Sequence, residues 1–141
     1  MASKLKKTPL KVSVVETYSL NGRKNAVEST AIYDDIRETS SRIVSVTNSG
    51  DLAGGVQVFT TDATNPGPAQ FVLADVRYVR ITNLDDKNTI TIRQVTDGIT
   101  INHPLPASGS ILVGSLTLST TFTVIGHASD SVDVEIFVAS V

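Results

Sequence analysis

Residues 76–102 read VRYVRITNLDDKNTITIRQVTDGITIN. Val79 and Ile81 alternate with polar neighbours, as do Ile90 with Ile92 and Ile99 with Ile101. Period-two alternation gives a strand one apolar face. The breaks at Asp85-Asp86-Lys87-Asn88 and Asp97-Gly98 are turn chemistry. Asp-Gly suits a two-residue hairpin turn, because Gly accepts positive φ at no steric cost. In that register Thr96 faces Ile99, Gln94 faces Ile101 and Ile92 faces His103. The stretch predicts three successive strands, a β-meander, at the centre of an all-β domain.

Towards the N-terminus, Leu10–Tyr18 predicts a strand with Val12, Val14 and Tyr18 on one face, closed by a turn at Asn21-Gly22. Residues 23–40 are poorly patterned. Ile32 and Ile36 are four apart, so a helical turn and a strand with loop both fit. Arg42–Thr47 predicts a strand with Val44 and Val46 on one face and Ile43 on the other. After a turn-rich loop at 48–55, Val56–Thr60 predicts a strand with Val56 and Val58 opposite Gln57 and Phe59. DATNPGP (62–68) predicts a long loop, since its prolines do not suit a central strand.

Beyond the central stretch, His103-Pro104-Leu105-Pro106 holds the backbone extended or turning, and Ser108-Gly109 is a second break. Ser110–Gly114 predicts a short strand and Leu116–Ile125 a long one, with Leu116, Leu118, Phe122 and Val124 in phase. Val132–Val138 closes the chain with Val132, Val134, Ile136 and Val138 inward and Asp133, Glu135 and Phe137 outward. Eight or nine short strands separated by turns predict an antiparallel β-sandwich of jelly-roll-like topology. It would span residues 10–141, behind a basic N-terminal arm at 1–9 carrying Lys4, Lys6 and Lys7.

Composition narrows the function classes. The 141 residues fit one domain with a real core. Charged residues make up 18%, below the usual quarter or so, which implies surface covered by other subunits. A net charge of −2 gives no reason to expect nucleic-acid binding. The absence of cysteine excludes disulfides, zinc-thiolate sites and cysteine nucleophiles. No apolar run is long enough to span a membrane as a helix, and the basic start lacks the apolar segment of a secretory leader.

The search for chemistry yields little. His103 and His127 share no motif, and no G-x-S-x-G elbow accompanies them. Asp34-Asp35, Asp85-Asp86 and the Asp130/Asp133 grouping lack the spacing of a calcium loop. No glycine-rich phosphate cradle is present. Catalytic residues, cofactors and metal ligands are therefore not expected. Arg77, Arg80 and Arg93 lie on the central strands beside Tyr78. Between the solvated face of a sheet and interface anchors, the low charge density fits an interface better, and aromatics at 5% argue against a stacking platform. The candidate interface set is Lys4, Lys6, Lys7, Arg77, Tyr78, Arg80 and Phe137.

Five segments carry a family resemblance: VETYSLNG (15–22), RIVSV (42–46), ADVRYVRITNLDDKNTITIR (74–93), LPASGSILVG (105–114) and VDVEIFVAS (132–140). Together they resemble small virion structural proteins of marine tailed phages, particularly those of cyanobacteria. The resemblance implies a non-enzymatic particle component made in the host cytoplasm. Foremost is a capsid decoration (cement) protein on the head exterior, bound to the major capsid protein or other virion proteins. It would be a homo-oligomer, with a trimer favoured, and would bind neither nucleic acid nor membrane. A tail or head-to-tail component is the alternative within that class, and a carbohydrate- or receptor-binding module the alternative outside it.

Overall fold

The computed structural model describes residues 6–47, 55–61, 69–127 and 130–141. The chain is all-β in its regular structure apart from one 3-10 turn at Leu73–Asp75. Ten strands follow in order: β1 Thr8–Leu20, β2 Arg23–Ile36, β3 Glu38–Val46, β4 Val56–Thr60, β5 Val76–Asn83, β6 Ile90–Thr96, β7 Ile99–Leu105, β8 Ser110–Val113, β9 Thr120–Gly126 and β10 Val132–Ser140. They make two four-stranded antiparallel sheets, β3-β10-β5-β8 and β4-β9-β6-β7, and a separate two-stranded hairpin, β1-β2. The predicted loops at 48–55 and 62–68 fall almost wholly outside the described residues.

Pairing within the sandwich is nested. Strand β3 pairs with β10, β4 with β9, β5 with β8 and β6 with β7. The β6-β7 hairpin has the register read from the sequence, with Thr96 opposite Ile99, Gln94 opposite Ile101 and Ile92 opposite His103. Asp97 (φ 48°) and Gly98 (φ 77°) both take positive φ, as a type I′ turn requires. The meander expectation fails at its first strand. Strand β5 belongs to the sheet opposite β6, so Asp85–Asn88 arches between sheets instead of turning within one.

Asn83 explains that arch. Its side chain is fully buried at the end of β5. The amide donates to the carbonyls of Asn88 (2.8 Å), Leu105 (3.2 Å) and Pro106 (3.2 Å), while its Oδ1 accepts from Asp85 N–H (3.0 Å). One amide thereby satisfies backbone groups that a sheet-to-sheet crossing leaves unpaired. Asp85 continues the motif, accepting from the N–H groups of Lys87 and Asn88, each at 2.7 Å. Those two hydrogen bonds hold its carboxyl below the ordinary value.

The core lies between the sheets. Phe59, Phe122, Val79, Ile81, Ile90, Ile92, Val134 and Ile136 are among its buried side chains, with the Phe59 and Phe122 rings 5.7 Å apart. Each fully buried residue of this kind stabilises the fold by roughly 1.5–3 kcal/mol over leaving it exposed. Val132, Val134, Ile136 and Val138 point inward, as their alternation predicts. In β4 the alternation fails. A register shift between Gln57 and Phe59 lets both Val58 and Phe59 enter the core and leaves Val56 exposed. Leu116 packs against the core outside any strand and Leu118 is exposed, so β9 is shorter than its sequence pattern predicts.

Replacing Asn83 with Ala removes the donor from buried carbonyls. The unfolding free energy should fall by about 3 kcal/mol, read as a lower denaturation midpoint with an unchanged slope. Asp85 gives a pH test with a definite sign. Its folded-state value is depressed, so its stabilisation is present above the unfolded carboxylate range and lost as pH falls through the folded value. The stability difference between wild type and Asp85→Asn should shrink in acid, measured by denaturation between neutral pH and the acid range.

Candidate functional site

The feature that stands out from the sandwich is the β1-β2 hairpin. Asn21 (φ 51°) and Gly22 (φ 77°) form a type I′ turn, and the ladder runs from Leu20↔Arg23 to Thr8↔Ile36. At ~3.4 Å per residue the 13-residue β1 is roughly 44 Å long, against about 24–31 Å for the 7- to 9-residue strands of the sandwich. It is longer than any strand of the sandwich.

The two faces of the hairpin differ. Directly paired residues share a face. One face carries Leu10, Val12, Val14, Tyr18 and Leu20 on β1 with Val27, Ala31 and Tyr33 on β2. That face also holds Glu16, Arg23, Asn25 and Ser29, and the opposite face carries Lys11, Ser13, Thr17, Lys24, Glu28 and Thr30 together with the exposed Val15 and Ile32. Among the described residues, only the base of the apolar face has a seat within the chain. Leu10, Val12 and Tyr33 pack with Ile36, Tyr78, Phe137 and Ala139 on the outer surface of the β3-β10-β5-β8 sheet. The Tyr33 and Tyr78 rings are 5.5 Å apart, and the Tyr78 and Phe137 rings 6.0 Å.

A bulge sets this seat. Thr8 faces Ile36 but Leu10 faces Tyr33, so β2 carries one extra residue around Asp34 and Asp35, and Asp35 takes φ 62°. The extra residue brings Tyr33 and Ile36 to the same side. It also accounts for the Ile32/Ile36 spacing, which in the sequence fits either a helical turn or a strand with loop and is a bulged strand. Beyond the seat the apolar face is open: Val14 is 42% exposed, Tyr18 52%, Leu20 64% and Val27 51%.

The sequence-predicted interface residues divide accordingly. Tyr78, Arg80 and Phe137 do come together. Arg80 pairs with Glu135 and its guanidinium lies 5.4 Å from the centre of the Phe137 ring. Tyr78, however, is buried beneath the chain's own hairpin and has no free surface for a partner. Burial pushes its hydroxyl above the ordinary value, against the opposing influence of Arg80.

Arg77 turns back on the chain, donating to the Ala74 carbonyl at 2.6 Å. Arg93, grouped with the other two in the sequence, lies on the β4-β9-β6-β7 sheet. Lys6 is exposed, Lys7 sits 3.7 Å from Asp35, and Lys4 lies outside the described residues. Residues 8 and 9, expected in a basic arm, belong to β1, and the sandwich proper begins at β3.

His103 Nε2 bonds Gln94 Oε1 at 3.0 Å, and His127 Nε2 bonds Thr91 Oγ1 at 2.7 Å. Among the described residues no group of three or more His, Cys, Asp or Glu is placed to hold a metal ion. No helix among them is long and apolar enough to cross a membrane. No protein-family model matches this chain, and no curated protein matches it in sequence.

The distal stripe of Val14, Tyr18, Leu20 and Val27 is not legible in the sequence as a unit. Asn21-Gly22 signalled the turn, but the bulge and the outward Ile32 hid the alternation of β2. Tyr33→Ala should loosen the seat while leaving the sandwich folded. Limited trypsin digestion at Lys24 should accelerate several-fold, with the thermal midpoint of the sandwich little changed.

Proposed function

We propose that this chain is a non-enzymatic structural component of a particle, and that the particle is a tailed-phage virion, with the chain placed as a decoration protein on the head exterior. The observation that carries the assembly reading is the hairpin. Two strands of 13 and 14 residues expose most of their length, including an apolar face, and among the described residues only their base packs against the rest of the chain. An isolated two-stranded hairpin is marginally stable in water, so a chain that builds one this long gains order from neighbouring molecules.

The nested strand order supports the same reading. First-with-last pairing across two four-stranded sheets supports the proposed jelly-roll winding, an architecture frequent in capsid and lectin domains. The virion placement itself comes from the sequence resemblance. The major capsid protein is the proposed partner, reached through the exposed Lys6 and Lys7. A tail or neck component is the second reading in this class.

Labelling the protein in purified particles and counting copies by electron microscopy tests the placement. Many copies spread over the head are expected. A single ring at one vertex moves the role to the neck or tail, and absence from particles overturns the virion reading.

A further inference from the structure

The open half of the hairpin face carries only two charges. Glu16 stands opposite Val27 and Arg23 opposite Leu20, with the Tyr18↔Asn25 pair midway between them. Neither charge has an ion-pair partner among the described residues. Glu16 and Arg23 lie four positions apart along β1's axis, about 14 Å, too far to meet within one hairpin.

The geometry points to a second copy of this chain as the cover of that face. We propose that two hairpins pack with their apolar faces together about a two-fold axis crossing the strands at the level of Tyr18. That rotation lays β1 of one copy over β1 of the other and exchanges the Glu16 and Arg23 levels. Each Glu16 then approaches Arg23 of the second copy, twice per pair, around a centre of two Tyr18 side chains flanked by Leu20. Sheets packed face to face lie ~10 Å apart and neighbouring strands ~4.8 Å, a separation that extended Glu and Arg side chains span.

One negative and one positive group placed symmetrically about the Tyr18 level make the stretch from Glu16 to Leu20 complementary to itself, as an isologous contact requires, while Val14 lies beyond the overlap. The opposite face, with Lys11, Lys24 and Glu28 beside Val15 and Ile32, stays outside the contact. A two-fold contact makes pairs, so the trimer favoured by the sequence reading would need such pairs to link trimers. The inference deepens the assembly reading and rests on the hairpin being an assembly element, not on the virion placement.

Sedimentation velocity of the purified full chain tests it, comparing wild type with Glu16→Arg, Arg23→Glu and the double reversal. Wild type should self-associate reversibly. Each single reversal should weaken association at least about ten-fold by setting like charges together, and the double reversal should return it to within a few-fold of wild type. Circular dichroism should show all four proteins folded, since both positions are exposed. Wild type that stays monomeric at every concentration overturns the inference, as do single reversals without effect or a double reversal no better than the singles. Localisation on particles is read separately, so failure of the virion reading leaves this result interpretable.

Discussion

The arrangement of the molecule depends on the small seat where Leu10, Val12 and Tyr33 of the hairpin meet Tyr78, Phe137 and Ala139 of the sandwich. A two-stranded ribbon has only one face to bury, and it gains stability in proportion to the apolar area removed from water. The seat removes the base of that face from water and nothing beyond it. The hairpin is therefore fixed in direction at one end and left dependent on other molecules along the rest. Tyr78 belongs to this anchoring contact, which is why a residue with the composition of an interface anchor is buried within its own chain.

The sandwich is stable on different terms. Its core closes between two sheets, and the polar groups at its crossings are answered by named side chains. Asn83 serves the arch after β5. At the far end Thr60 and Thr61 join Thr121 and Thr120, with Thr60 Oγ1 2.9 Å from Thr121 Oγ1 and Thr120 N–H donating to Thr61 Oγ1 at 2.9 Å. These bonds let buried threonines satisfy backbone and hydroxyl groups where the ladders end. The edge strand β7 carries Pro104, which removes a donor from an otherwise open edge. No comparable device protects the central part of β1, from Ser13 to Leu20, which has neither proline nor glycine.

What was legible in the sequence followed from local physics. The Asp97-Gly98 register, the inward set of β10 and the opposed faces of Val44 and Ile43 depend only on alternation and on turn geometry, and all three hold. Sheet membership did not follow, because alternation is the same whether a loop turns within a sheet or crosses between two. Asp85–Asn88 therefore read as a meander turn, and only the three carbonyls gathered by Asn83 reveal the crossing. Bulges defeated the reading of β2 and β4, since one extra residue reverses the phase of everything beyond it. Of the candidate site, the cluster of Tyr78, Arg80 and Phe137 was visible as residue types. That the hairpin itself closes over Tyr78 required the three-dimensional arrangement.

The hairpin and the sandwich differ in stability because, among the described residues, only the base of the hairpin is seated. Native-state hydrogen exchange of the dilute protein measures this directly, residue by residue. The ladder amides of β5 and β10 should exchange only through global unfolding, while those between Val14 and Val27 should exchange through a local opening of much lower free energy and gain protection as concentration rises. Equal, concentration-independent protection along the hairpin and in β10 would contradict the account, because it would mean that the distal ribbon is stable without a neighbour.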